Sequence, residues 1–442
     1  MNHSGNQSTT GKRIGVLTFP AAGHLQSIVA LAQALEAQGH EVVYFSIADG
    51  KALLQARGIE PVLYGEPRLP LGSLKRLAGK TVKTSSYASI VHGLKFHQLL
   101  LMGTVQDLLP QLKTLKLSVL LGDELILSGK TLGECLKIPF IGISQTLSIY
   151  PGTQGSDLPP FVDPAHSSWL KSQLARMFAD LYLFLLLLPL QGFRQKNGLR
   201  TERHLRDFFS SQAHLLPYAR SFSPASQVPG HFHFTGPLIS LVRSPTPQMR
   251  SGIYASLGTL VDLPRKERIF SDLLQCEIDR SLLISLGSAS GEVSETLSQL
   301  ANHVPAGARV ESYVRQLEVL PRSEVMVTHG GLNSVQECIL TRTPMLVLPI
   351  KHDQLGVAAR VRELGLGEVC TSAEMASGNL SEVLKTRLTR MLEPSRQAFH
   401  LANLEAQALE IESSGRLQKA VAVVEEQLSK TKPAEEAHRG EK

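Results

Sequence analysis

Thr328, His329, Gly330, Gly331, Leu332, Asn333, Ser334 and Glu337 lie in one short run, and Asp353 and Gln354 follow just beyond Pro344 and Pro349. Residues 325–328 read as a buried strand. Gly330 and Gly331 allow a tight turn, after which Asn333 or Ser334 is expected to cap a helix running through Glu337 to about residue 340. A strand that enters a helix through glycines presents free N–H groups at the positive end of the helix dipole, a ready phosphate site. His329 adds a donor. Glu337, one turn into the helix, offers a carboxylate to ribose hydroxyls. Asp353 and Gln354 follow the next strand at its C-terminal end, where ligands of open α/β sheets gather. Together these groups suit a sugar nucleotide.

A second polar feature stands near the N-terminus. The turn Phe19-Pro-Ala-Ala-Gly-His24 lacks the glycine spacing of a dinucleotide fold. It places His24 at the edge of the first helix, above the first strand. The positive end of a helix disfavours imidazolium, so His24 is expected to be uncharged, as a general base must be. A role in the helix cap is the plainer alternative. Asp123 ends the strand over residues 119–122, with Glu124 beside it and pointing elsewhere if the chain stays extended. Asp123 could also cap the segment that follows.

The elements that must carry these groups alternate. Residues 13–19 form a strand, 25–38 a helix ended by Gly39, and 41–46 a strand. That βαβ unit implies a parallel sheet. Strands at 116–121 and 140–144 and a helix at 128–136 continue it, with mostly helical chain over 88–115. Residues 148–215 break the alternation. They contain Trp169 and the apolar run 181–190, about half of what a membrane span needs. A helix buried in the first lobe is expected there. The alternative is an acceptor wall or membrane-facing surface with Arg194, Lys196 and Arg200 at its edge. His231 and His233 read as structural residues of a further strand. A second set of strands is expected at 253–258, 282–286, 309–311, 324–328 and 345–348, with helices at 265–275, 333–340, 354–363 and across 381–428.

Composition narrows the choices. The formal charge of +6 over 442 residues is mild, and no Lys/Arg cluster interleaves with aromatics, so nucleic acid is a poor partner. The four cysteines form no Cys-x-x-Cys pair and read as free thiols of a reducing compartment. No Asp-x-Asp or His/Cys spacing suggests a metal. Residues 1–12 lack a signal-peptide pattern, and 429–442 read as a disordered tail. A cytoplasmic protein is expected, with contact at a membrane surface left open.

The segment from Tyr313 to Gln354 resembles the donor-binding signature of family 1 UDP-glycosyltransferases. Its double glycine is similar to bacterial members, including macrolide and carotenoid glycosyltransferases. The matching residues are Gln316, His329, Gly331, Asn333, Ser334, Glu337, Asp353 and Gln354. The resemblance implies an α/β GT-B fold with two Rossmann-like lobes facing across a cleft. The first would bind acceptor (residues 11–240) and the second nucleotide sugar (251–395), with helices over 396–428 returning to the first lobe. It also implies that His24 and Asp123 are a catalytic dyad, that Thr259 reaches the diphosphate, and that Tyr313 stacks on the base. Arg315 replaces a usual proline, Leu332 replaces the tryptophan of plant members, and the gap from Gln316 to His329 is two residues shorter than in plants. These departures touch base binding and nucleotide choice; UDP is favoured with TDP as alternative, and glucose is favoured because Gln354 ends the signature.

The expected activity is metal-free, inverting transfer of a hexose from a UDP-sugar to a hydroxyl of a lipophilic small molecule. No cofactor beyond that cosubstrate is expected. Two rivals remain at this stage: a silent sugar-nucleotide-binding subunit, and a sugar-nucleotide epimerase of the same architecture.

Overall fold

The computed structural model describes residues 11–74, 76, 86–147, 169–202, 205–224, 228–239, 249–258, 261–287, 304–350 and 353–430. Two parallel sheets organise them. The first has the order β3-β2-β1-β4-β5-β6-β7. Its strands are β1 (Arg13–Leu17), β2 (Glu41–Ser46), β3 (Val62–Leu63), β4 (Val119–Asp123), β5 (Phe140–Ile143), β6 (Ala213–Leu216) and β7 (Phe232–Phe234). The second has the order β10-β9-β8-β11-β12-β13. It comprises β8 (Ile253–Ser256), β9 (Leu282–Ser285), β10 (Ala308–Glu311), β11 (Val325–Thr328), β12 (Met345–Val347) and β13 (Gly367–Val369). The central strands β4, β5, β8 and β11 are mostly apolar and buried along their whole length, as helices on both faces require.

Each sheet reverses its winding once, at β1/β4 and at β8/β11. Connections leave such neighbours in opposite directions, which opens a crevice at their C-terminal ends. His24 follows β1, Asp123 ends β4, Gly258 follows β8 and His329 follows β11. The topology itself thus delivers the polar residues picked out above to the two crevices.

The Ala22–Glu36 helix covers one face of the first sheet through Leu25, Ile28, Leu31 and Leu35. Ala420, Val424 and Leu428 of the Arg416–Lys430 helix join the same core, so the end of the chain packs on the first lobe. His40 Nε2 meets Glu425 Oε1 at 2.6 Å, and Lys419 Nζ donates to the Phe234 carbonyl at 2.7 Å. The preceding Pro394–Ser413 helix instead buries Leu404, Ala408 and Ile411 in a core shared by both lobes. That core joins Leu147, Leu216, Tyr218 and Phe222 from the first lobe to Val335, Val357 and Ala358 from the second.

The apolar run at 181–190 belongs to a 28-residue helix, Trp169–Lys196. Burial holds for one face only: Leu186, Leu187 and Leu190 enter the first core. Leu174, Met177, Phe178, Leu181, Phe184 and Leu188 recur every three or four residues and are exposed. Arg194 does not stand at a lipid boundary. It is buried and spent on Glu134 (2.7 Å), Glu202 (3.2 Å), Thr131 Oγ1 (2.9 Å) and the Arg200 carbonyl (2.8 Å). A guanidinium that is taken out of water must find such partners. Among the described residues no helix is long and apolar enough to cross a membrane.

Candidate active site

In the first lobe, His24 sits within the first turn of the Ala22–Glu36 helix. Its Nδ1 lies 2.7 Å from Asp123 Oδ2. Asp123 is wholly buried and its other oxygen accepts the Leu125 N–H at 2.9 Å, so the carboxylate is fixed. Glu124 turns to the opposite side, where Ser144 Oγ (2.6 Å) and Thr146 Oγ1 (2.7 Å) donate to it. The structure therefore pairs His24 with Asp123 rather than with Glu124. With Nδ1 on the carboxylate, the ring is held in one orientation and Nε2 is left for other chemistry.

The expectation that the helix terminus sets the His24 pKa is corrected in its direction. Burial lowers the His24 pKa, but Asp123, Glu124 and Asp353 together raise it above the ordinary 6.5. A helix terminus is worth only ~0.3–1 kcal/mol at most sites, whereas three carboxylates act on this ring. We expect the His24 ring to titrate above 6.5 by NMR. Asp123→Asn should lower that midpoint, since it removes the largest raising contribution. A midpoint at or below the ordinary value in the wild type would refute this electrostatic picture.

In the second lobe, β11 passes through His329 into the Leu332–Thr341 helix. Gly331 is the N-cap, and no side chain caps this helix. The expected cap at Asn333 or Ser334 is thus wrong by about half a turn. Asn333 is instead used across the lobes, donating from Nδ2 to the Gly23 carbonyl at 2.7 Å. Gly330 has a φ of +82°, which glycine adopts without strain. His329 is clasped by glycines: a Cβ on Gly331 would come within 2.8 Å of its Nε2, and one on Gly258 within 2.8 Å of its Cε1. The helix N-terminus, with uncapped N–H groups, opens beside this imidazole. Ser334 lies in its first turn, half-buried.

Glu337 is buried one turn further in, and burial raises its pKa. Its Oε2 accepts from Gln316 Nε2 at 2.5 Å, and its Oε1 accepts from Gln26 Nε2 of the first lobe at 3.2 Å. Tyr313, just after β10, is exposed, with its face available for stacking. Asp353 precedes the Gln354–Glu363 helix and accepts the Leu147 N–H across the lobes at 3.2 Å. Gln354 Oε1 takes the Ile350 N–H at 2.8 Å. Thr259 lies outside the described residues. Among the described residues no group of three or more His, Cys, Asp or Glu could hold a metal ion. Sequence reading missed Gln26; nothing local signals that its amide reaches the other lobe.

The two halves of this constellation meet. Gly23, Gln26 and Leu147 bond Asn333, Glu337 and Asp353, so His24 and the β11 turn flank one lobe junction. Residues 253–393 match the family described as UDP-glucoronosyl and UDP-glucosyl transferase. The second lobe thus carries the UDP-glycosyltransferase match, and similarity to curated relatives extends over both lobes. Members bind a nucleotide-sugar donor and a small-molecule acceptor, and this chain is accordingly a glycosyltransferase acting on small molecules. It is 27% identical to a zeaxanthin glucosyltransferase of Pantoea ananas over 398 residues, 86% of this chain and 89% of that one. It is 24% identical to a demethyllactenocin mycarosyltransferase of Streptomyces fradiae, over 85% of this chain and 79% of the other. Among solved structures, the glycosyltransferase of kitacinnamycin superposes with a TM-score of 0.69 at 21% identity, over 94% of this chain and 99% of that one. The glycosyltransferase VinC, solved with dTDP, gives 0.65 at 19% identity, over 95% and 100%. These likenesses establish the two-lobed GT-B fold.

Proposed function

We propose that this glycosyltransferase moves a hexose, glucose by preference, from UDP to a hydroxyl of a lipophilic acceptor with inversion at the anomeric carbon. The observation that carries the reading is the 2.7 Å contact of His24 with buried Asp123, across the lobe junction from a phosphate-ready helix terminus. His24 Nε2 takes the acceptor proton. Asp123 holds the opposite nitrogen and stabilises the imidazolium that forms. The anomeric C–O bond to the diphosphate breaks as the acceptor oxygen bonds to carbon. Displacement in one step inverts the centre, as single attack must. The departing charge falls on His329, Ser334 and the N–H groups behind Gly331, with Thr259 as a further hydroxyl. Tyr313 stacks on the base, Gln316 bonds base or ribose, Asn333 keeps the helix terminus seated, Glu337 holds the ribose, and Asp353 with Gln354 holds sugar hydroxyls.

Because a helix N-terminus and an imidazole already meet the diphosphate, we propose that no metal is needed. The lipophilic acceptor class is supported by the carotenoid and macrolide-type acceptors in the names of the relatives. The exposed face of the Trp169–Lys196 helix supports contact with a lipid surface, where such acceptors dissolve.

The test is UDP release from UDP-glucose with an acceptor panel, followed by mass spectrometry of products, with and without EDTA. We expect a hexose mass added to at least one apolar alcohol, unchanged by EDTA. Donor conversion without acceptor would support the epimerase reading instead. Loss of activity in EDTA that magnesium restores would remove the metal-free claim.

A further inference from the structure

One buried group has no use in the mechanism above. Gln145 is only 4% exposed, and among the described residues neither its Oε1 nor its Nε2 has a hydrogen-bond partner. Buried amides are rarely left so, and an orphaned pair calls for an absent ligand or a special role. Its place in the fold says which. β5 pairs with β4 so that Ile143 stands beside Asp123. The ladder continues upward, with Glu124 N–H on the Ile143 carbonyl and Ser144 N–H on the Leu215 carbonyl, both at 3.0 Å.

Beyond β5 the chain leaves the ladder in a bend at 145–147. Ser144 and Thr146 both donate to Glu124. Gln145 stands between them in that bend, and Asp123, next to Glu124, meets His24. Two residues on, the Leu147 N–H reaches Asp353 of the second lobe. Gln145 thus belongs to a short stretch tied at one end to Glu124, beside the His24–Asp123 pair, and at the other to Asp353. The moiety that must occupy that interval during transfer is the sugar itself, bonded at one end to the diphosphate and facing the acceptor.

We propose that Gln145 is a sugar-reading residue: its amide hydrogen-bonds one hydroxyl of the hexose being transferred. The inference rests on the glycosyl-transfer reading and adds a residue to its site. An amide offers both a donor and an acceptor, and a hydroxyl can satisfy either. A site built to bond a hydroxyl rejects analogues lacking it, because its own polar atoms are then left unmet.

The experiment compares wild type, Gln145→Leu and Gln145→Glu with UDP-glucose and each of its monodeoxy analogues, at fixed acceptor. Gln145→Leu keeps the volume and removes the amide. Wild type should prefer UDP-glucose over one deoxy donor by roughly 10- to 100-fold in kcat/KM, the worth of a buried hydrogen bond. In Gln145→Leu that ratio should collapse toward unity at the same position only, while the affinity for UDP alone stays unchanged. Gln145→Glu, which accepts but cannot donate when ionised, reports which half of the amide is used. Turnover with every deoxy ratio unchanged in Gln145→Leu overturns this inference alone. A uniform fall across all donors, with altered thermal stability, assigns Gln145 a structural role and also overturns it. No turnover by wild type with any donor overturns the glycosyl-transfer reading, and this inference with it.

Discussion

His24→Ala should cut turnover by about 10²–10⁴-fold, the usual worth of a positioned general base, while UDP binds as before. The separation of effects follows from where the groups sit. His24 meets Asp123 inside the first lobe, whereas Tyr313, His329 and Glu337 belong to the second. The substitution leaves the Gly23 carbonyl and Gln26 in place to bond Asn333 and Glu337, so the lobe junction keeps its ties. The rate should also climb with pH through the His24 midpoint, because only the unprotonated ring accepts a proton. Carboxylates hold that midpoint above 6.5, so the rising limb extends beyond it. Steady-state kinetics and calorimetric titration with UDP check both halves. Equal turnover in the variant would end the base assignment, and a large loss of UDP affinity would recast His24 as a docking residue.

Glu337→Ala should weaken UDP binding by roughly 10- to 100-fold. A hydrogen bond to a charged group contributes about 1.5–3 kcal/mol, and ribose has hydroxyls for two. In the structure both carboxylate oxygens are occupied by amides, Gln26 and Gln316, with the group buried. Ribose must therefore take the place of at least one amide, which tempers the gain and keeps the expected loss below the sum of two bonds. UDP lacking the ribose 2′-hydroxyl separates the causes. It should bind wild type more weakly than UDP does, and the difference should vanish in Glu337→Ala. An unchanged dissociation constant for UDP removes the ribose role.

Much of this architecture was legible in the chain. β2 and the Gln354–Glu363 helix fall where apolar periodicity puts them, and β1, β4 and β5 lie within two or three residues. Local pattern sufficed there because the elements bury continuous apolar faces. β3 spans two residues, and β13 carries Glu368, whose charge is met by Arg387 and Arg390 from a later helix. Neither announces itself locally. β6, Ala-His-Leu-Leu, was absorbed into the presumed insert because all four residues are buried and no alternation shows. The polar site was legible because its residues cluster in sequence around β11. The helix start was misread because a glycine cap leaves no polar signature. The direction of the His24 pKa shift was misread because Asp123, Glu124 and Asp353 act on the ring from elsewhere in the chain. Gln145 gave no signal at all; that its amide lacks partners is a fact of packing alone.

The closing helix, Arg416–Lys430, has a consequence for protein engineering. Its Val424 and Leu428 complete the apolar surface under the Ala22–Glu36 helix, so sequence order and physical ownership disagree. A chimaera that takes its acceptor half from this enzyme and its donor half from a relative must therefore carry residues 416–430 along with the acceptor half. Joined at one crossover only, the graft would set a foreign ridge against a groove shaped for another.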